Sequence, residues 1–364
     1  MSTPVQAAVV RGVDEPFTFE NLTLGDLRPD EILVKVTSVG LCHTDIAVRQ
    51  GDIESPYPIV LGHEGAGIVE EVGDAVLGVK VGDAVAMSYA ACGHCRNCRS
   101  GREAYCLNFT FLNFGGARED GSTTFEDDGV HGSFFGQSSF ATHAIASEKN
   151  VVVLPEGAPV EIAGPLGCGI QTGAGSVLNT LNVPAGESIV VTGTGAVGLA
   201  GIMAASVAGA TTIIAVDIID ERLEFARRLG ATHTINSKNE DPVEKILEIT
   251  GGGADYALDT TAVPGVVSQL IDSTSFSARI ALIGAPKPGA MIDLERISAS
   301  GKQIIGAIEG DSVPQVFIPH LVELYKAGRF PFDELVTTYP FEQIDQAIED
   351  TVNGKTVKAV LTMP

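Results

Sequence analysis

One stretch of the chain limits the fold more than any other. From residue 188 to residue 216 there is no charged side chain. That length is enough to span a bilayer. Yet it is broken by Gly193, Gly195, Gly198, Gly201 and Gly209, and it carries Thr192, Thr194, Thr211 and Thr212. It divides into an apolar strand (188–192), a glycine turn, a helix of small residues (196–208) and a second strand (212–216). A βαβ unit buried on both faces produces this pattern, and we prefer it to a membrane helix.

The alternation continues beyond it. A helix is expected over 221–229, ending at Gly230, with further strands over 255–259 and 279–284. Strands alternating with helices indicate a parallel, doubly wound sheet. The first 165 or so residues read differently. Short β-branched runs such as 31–39, 67–72 and 83–87 are interrupted by Gly, Pro and Asp, the signature of an irregular, mainly antiparallel β domain. Residues 107–133 form a long aperiodic insertion, a kind of segment that is usually functional or contact-forming. The tail is expected to hold helices at 314–327 and 341–353 and a closing strand at 356–362. The expected class is therefore α/β: a β-rich domain over 1–169 and a doubly wound domain over 170–309.

Composition narrows the partners. The formal net charge is −23 over 364 residues. Nucleic acid and anionic membrane surfaces both require a basic footprint, so neither is expected as a partner. Arg96, Arg99 and Arg102 make only a small basic cluster. Residues 1–10 lack a basic stretch followed by an apolar core. A cytoplasmic chain with reduced thiols is expected, and clustered Cys then reads as metal-binding or catalytic.

Cys92, Cys95, Cys98 and Cys106 follow C-x2-C-x2-C-x7-C spacing. Four thiolates so close in sequence can enclose one Zn²⁺, and a saturated all-cysteine site has no open position, so its role is structural. An iron–sulfur cluster is the other reading of this spacing. Cys42 and Cys168 remain, with His63 and Glu64 between them. Two Cys and one His with an open fourth position are the donors of a catalytic zinc. Lone buried Cys and His are more often core residues, but Cys42-His43-Thr44-Asp45 and Gly62-His63-Glu64-Gly65 both read as loops beside β-rich runs. Asp45 offers a carboxylate to orient His63.

Gly193-Thr194-Gly195-Ala196-Val197-Gly198 is a G-x-G-x-x-G that follows a strand and opens a helix. In that context the glycines allow a tight turn and close approach of a pyrophosphate, drawn to the helix N-terminus. Asp217 ends the next strand, where a carboxylate binds the ribose hydroxyls and repels a 2′-phosphate, favouring NAD over NADP. Ile218 offers a phosphate no charge; Arg222 does.

Taken together, these positions resemble the zinc-containing medium-chain alcohol dehydrogenases along nearly the whole chain. The most specific parts are Gly62-His63-Glu64-Gly65-Ala66-Gly67, the four-cysteine lobe, Cys168 and the glycine fingerprint. Residues Phe134-Phe135-Gly136-Gln137-Ser138-Ser139-Phe140 also resemble the aryl- (benzyl-) alcohol branch. The resemblance implies a GroES-like catalytic domain interrupted by a Rossmann domain, with 310–364 returning to the catalytic domain, and two zinc ions and NAD. It implies that Cys42, His63 and Cys168 hold the catalytic zinc, with Glu64 as an occasional ligand. It assigns Thr44 to accept the proton of an alcohol made acidic by zinc, with hydride passing to the nicotinamide. It places His43 and Lys358 near the coenzyme pyrophosphate, and implies a homodimer or homotetramer.

Two departures stand out. Many relatives end the proton path in a histidine where this chain has Ala47, so the path must end in water or in His43. The glutathione-dependent formaldehyde dehydrogenases carry an Arg where this chain has Thr110, which counts against a glutathione adduct. Ile53, Tyr89, Phe134 and Phe135 would form an apolar, partly aromatic pocket suited to a benzyl-type alcohol. The alternatives are an aliphatic alcohol or S-hydroxymethylglutathione as substrate, and a non-enzymatic NAD- and zinc-binding module.

Overall fold

The computed structural model describes residues 2–127, 129–284, 289 and 291–364. The chain forms two compact units. The first comprises residues 1–168, 313–326 and 333–364, and the second residues 169–312 and 327–332.

In the second unit six parallel strands form one sheet. Its spatial order is His233–Asn236, Thr212–Asp217, Ser188–Thr192, Ala254–Asp259, Thr274–Leu282 and Gln303–Gly306. The order runs outward in both directions from Ser188–Thr192, so the sheet is doubly wound with its reversal point beside that strand. The helix Ala196–Ala208 is buried at every residue from 198 to 205. Its small side chains let it lie close to the sheet: a Cβ on Gly201 would come within 2.6 Å of Leu258. A helix apolar all round belongs in an interior, which explains the charge-free stretch without a membrane. Among the described residues no helix is long and apolar enough to cross one. Residues 327–332 join this unit because Phe330 and Phe332 are fully buried and Arg329 donates to the Val207 carbonyl at 3.2 Å.

The first unit is built on the strand Glu31–Gly40. It pairs antiparallel with Gly65–Val72, with His143–Ser147 and with the last strand, Lys358–Thr362. Beyond Gly65–Val72 the sheet continues through Ala84–Met87 and Val151–Val153. A smaller sheet of Phe17–Leu24, Thr3–Val10 and Ile59–Val60 completes the unit. Among the described residues of this unit the strand pairs are antiparallel except Val336–Pro340 beside Lys358–Thr362. The 107–133 stretch contains one short helix, Phe109–Phe114, and is otherwise tied down by isolated bridges such as Leu24 to Phe125 and Ile59 to His131.

Sequence and structure differ at Cys42-His43-Thr44-Asp45. The expected loop is the start of a helix, His43–Arg49, with Cys42 at its N-cap. Asp45 accepts the Cys42 backbone N–H at 3.1 Å, the work a capping carboxylate does for otherwise unpaired amides.

Candidate functional site

Two strand-to-strand connections and a helix start bring the scattered donors together. Cys42 leads out of the strand Glu31–Gly40, and His63 and Glu64 precede the strand Gly65–Val72 that pairs with it. Cys168 follows the 3-10 turn Gly164–Gly167. That turn is pressed onto the sheet: the Ser88 hydroxyl donates to the Gly167 carbonyl at 2.6 Å. A Cβ on Gly167 would lie 2.0 Å from the Met87 carbonyl oxygen, so only glycine permits the approach. One ligand atom from each of Cys42, His63, Glu64 and Cys168 lies within 4.8 Å of the others.

Asp45 organises this group. It is 1% exposed, and its Oδ1 meets His63 Nδ1 at 3.0 Å and the Gly62 N–H at 3.1 Å. The carboxylate accepts only, so Nδ1 carries the ring proton and the Nε2 lone pair is the free one. Nε2 is buried and has no hydrogen-bond partner. A buried acceptor left open beside two sulfurs is a metal-ligand position. Hydrogen bonding from the Cys168 thiol, reinforced by the nearby Lys358 cation, holds the Cys42 thiol well below its ordinary range despite burial. Thr44 is half-buried, with its hydroxyl 3.7 Å from Cys42 Sγ. His43 lies exposed on the same helix, and Ala47 half-buried one turn on.

Glu64 and Lys358 form a buried ion pair. Lys358 Nζ lies 2.7 Å from Glu64 Oε1 and 2.6 Å from Oε2, and also donates to the Leu41 carbonyl at 3.1 Å. Burial pushes the Glu64 carboxyl up to about 6 against the opposing pull of Lys358. Lys358 stays above its ordinary value: burial lowers it, but Glu64 and the Cys42 thiolate more than compensate. Lys358 is 3% exposed, and its charge is engaged by Glu64.

In the four-cysteine lobe the Sγ atoms of Cys92 and Cys98 are 3.9 Å apart and those of Cys95 and Cys98 3.5 Å. Disulfide sulfurs lie at about 2.05 Å. Thiolates at about 2.3 Å around one zinc lie roughly 3.8 Å from each other, matching the observed spacing. None of the six cysteines forms a disulfide. Backbone N–H groups point at the sulfurs, from Cys95 to Cys92 at 3.3 Å and from Asn108 to Cys106 at 3.4 Å. Such donors at Cys98 and Leu107 push the Cys95 thiol down to about 6, while burial raises Cys98.

In the second unit the glycine turn separates two requirements. Gly193 has φ +83° and a Cβ on Gly198 would lie 1.8 Å from the Gly193 carbonyl, so the chain's own turn demands both glycines. At Gly195 a Cβ would meet nothing within 4 Å. The chain itself does not need that glycine; a ligand approaching the backbone does. Gly195 is the N-cap of Ala196–Ala208, and no side chain caps it. Gly195, Ala196 and Val197 are half-exposed at the mouth of the turn. Asp217 is half-exposed and bonded to both Thr194 and its own chain neighbours, and Arg222 is half-buried one turn into Asp220–Arg228.

Comparison with known proteins decides the family. The alcohol dehydrogenase GroES-like domain matches residues 28–156, and the zinc-binding dehydrogenase domain matches residues 196–327. Geraniol dehydrogenase of Castellaniella defragrans is 42% identical over 362 residues, spanning 98% of this chain and 97% of that one. The chain belongs to the zinc-containing medium-chain alcohol dehydrogenases. Two crystal structures cover 100% of both chains: an alcohol dehydrogenase zinc-binding domain protein from Burkholderia ambifaria, with 52% identity and a TM-score of 0.98, and benzyl alcohol dehydrogenase from Acinetobacter calcoaceticus, with 46% and 0.97.

This dehydrogenase combines a GroES-like and a Rossmann-type domain, and its cofactors are zinc and NAD. The donor sets described above fit the metal, and the open face of Gly195 fits the coenzyme. The four expected pocket residues have different surroundings. Phe135 stacks on His63 with ring centroids 4.4 Å apart, and Phe134 meets the same ring edge-on at 5.7 Å. Phe109 and Phe114, which sequence reasoning passed over, pack against Phe135 at 6.4 and 5.1 Å. Tyr89 joins through Phe109 at 5.9 Å. Tyr89 is 2% exposed and Phe134 fully buried, so both belong to the apolar wall behind His63; Ile53 is half-buried after the helix His43–Arg49.

Proposed function

We propose that this alcohol dehydrogenase oxidises a benzyl-type primary alcohol to the aldehyde with NAD, using Cys42, His63 and Cys168 as catalytic zinc ligands. The supporting observation is the aromatic wall around His63, formed by Phe134 and Phe135 and backed by Phe109, Phe114 and Tyr89. Flat apolar side chains beside a metal donor exclude water and favour a flat apolar group next to the carbinol carbon.

When bound, zinc supplies the Lewis acidity that acidifies an alcohol hydroxyl, and NAD supplies the hydride acceptor. The chain's own residues do the rest. Asp45 fixes the His63 tautomer through the 3.0 Å contact at Nδ1. Thr44, held beside Cys42 Sγ, takes the hydroxyl proton. Ala47 has no titratable group, so His43 or water carries the proton outward. Lys358 holds the Glu64 carboxylate behind the donors. In the second unit Asp217 receives the adenosine ribose, and Arg222 lies in the first turn of the helix that follows it. Gly193, Gly195 and Gly198, with Ala196 and Val197, cradle the pyrophosphate.

A second reading keeps the reaction and changes the alcohol. The similarity to geraniol dehydrogenase favours an allylic primary alcohol. Thr110, exposed on Phe109–Phe114, offers no cation for a glutathione carboxylate. The test is a kcat/KM panel of benzyl alcohol, geraniol, ethanol and S-hydroxymethylglutathione, each with NAD and NADP. Benzyl alcohol with NAD should lead. Geraniol in first place would establish the allylic reading, and ethanol or the glutathione adduct ahead of both would sink the aromatic assignment.

A further inference from the structure

The Asp217 carboxylate accepts four hydrogen bonds from its own chain. Oδ2 accepts the Thr194 backbone N–H at 2.6 Å and the Thr194 hydroxyl at 2.7 Å. Oδ1 accepts the backbone N–H groups of Ile218 at 2.6 Å and Ile219 at 3.1 Å. Three of these donors are backbone amides that almost any sequence would supply. The fourth is the Thr194 hydroxyl, a property of this sequence alone. Thr194 sits between Gly193 and Gly195 and is fully buried, so its rotamer is fixed by packing.

We propose that Thr194 is a positioning residue for the coenzyme: its hydroxyl locks the Asp217 carboxylate in the orientation that receives the adenosine ribose, and so sets affinity for NAD and discrimination against NADP. The inference rests on the ribose role given to Asp217 above. The terminal torsion of an aspartate is broad, with no deep well to hold it. The two amides at Oδ1 follow Asp217 directly in sequence and belong to its own turn. The bonds from Thr194 reach across from the neighbouring strand's turn and tie Oδ2 to the backbone that faces the coenzyme. A carboxylate held from both sides is set before the ligand arrives, and ordering it then costs nothing on binding. The same fixed charge cannot swing away from a 2′-phosphate, so rejection of NADP depends on the lock as well.

The test measures Kd for NAD and NADP by calorimetry on the holoenzyme, in wild type, Thr194→Val, Thr194→Ser, Asp217→Asn and the Thr194→Val/Asp217→Asn double variant. Valine keeps the shape and removes the donor. We expect Thr194→Val to weaken NAD binding about three- to tenfold, the size of one net hydrogen bond. The change should fall in KM for NAD rather than kcat, the NAD-to-NADP ratio should narrow, and Thr194→Ser should restore both. In the Asp217→Asn background the valine should add little, because Thr194 acts through Asp217. NAD binding that is unchanged or tighter in Thr194→Val overturns the proposal, and tighter binding would mean that the hydroxyl competes with the ribose. A full loss in the Asp217→Asn background overturns it too. If Asp217→Asn itself leaves NAD binding intact, the ribose role of Asp217 fails and the inference with it; a loss there without one in Thr194→Val overturns the inference alone. Should Thr194→Val not fold, the Thr194→Ala and Thr194→Ser pair makes the same comparison.

Discussion

Replacing Asp45 with asparagine changes one atom and unbalances three contacts. The carboxylate accepts from His63 Nδ1 at 3.0 Å, from the Gly62 N–H at 3.1 Å and, through its other oxygen, from the Cys42 N–H at 3.1 Å. An amide has one acceptor oxygen. Whichever way it turns, its NH2 group faces at least one of these donors. If the oxygen stays with His63 and Gly62, the Cys42 amide at the helix start is left unpaired; if it turns to Cys42, His63 and Gly62 are. Each hydrogen bond to a charged group is worth about 1.5–3 kcal/mol, and the site is almost fully buried, so water cannot substitute. Part of this loss is shared with the fold and part with the metal. Removing a partner that orients a ligating histidine typically costs 10–100-fold in metal affinity, or about 1.4–2.7 kcal/mol. We therefore expect Asp45→Asn to bind the first zinc as wild type does and the second about 10–100-fold more weakly. Titration against a chelating dye resolves the two sites. Two zinc ions held with wild-type affinity would refute the reasoning, as would loss of the lobe zinc first.

Three further outcomes follow from other contacts. Gly195→Ala should keep the wild-type Tm and weaken NAD binding, because its Cβ meets nothing, whereas Gly198→Ala, clashing with the Gly193 carbonyl at 1.8 Å, should cost about 1–3 kcal/mol of stability itself; equal melting temperatures would contradict this. Lys358→Met leaves Glu64 buried without its cation and should destabilise by about 3–5 kcal/mol, with the Lys358→Met/Glu64→Gln pair recovering much of it in chemical denaturation; a single variant as stable as wild type would exclude the ion pair as a determinant. Asp350 accepts from Lys355, Tyr339 and Gln346, and these bonds hold its carboxyl below the ordinary 3.8. A depressed folded-state value stabilises above the unfolded pKa and loses that contribution as pH falls through the folded one. The Tm gap between wild type and Asp350→Asn should thus be constant near neutrality and close below about pH 4; a gap that widens on acidification would reverse the assignment.

The sequence showed the architecture because the decisive signals are local. A charge-free run with glycines at fixed places has one good solution, and strand–helix alternation carries it through the second unit. The four-cysteine lobe was legible for the same reason, its donors being close neighbours in the chain. What was hidden depends on distant partners or on weak local cues. The helix His43–Arg49 is short and opens on Cys42, not one of the usual capping residues, so it read as a loop. Phe109 and Phe114 sit in the aperiodic 107–133 segment, and nothing in their spacing points at His63. Glu64 and Lys358 lie 294 positions apart, and no spacing rule connects them. Thr194 is an unspecified position of the G-x-G-x-x-G pattern, so the motif carries no sign of its hydroxyl bond to Asp217.

The long reach of the Glu64–Lys358 pair has a consequence for how the protein is made. Chains are synthesised from the N-terminus at about 5–20 residues per second, so the 294 positions between the two correspond to about 15–60 s on the ribosome. During that interval Cys42, His63 and Glu64 already exist, but the strand Lys358–Thr362, which pairs with Glu31–Gly40 and brings the lysine to the carboxylate, does not. Until that strand docks, Glu64 lacks the cation it is buried with in the folded protein. The ion pair behind this centre is thus completed late in synthesis, by a strand made 294 positions after the carboxylate it meets.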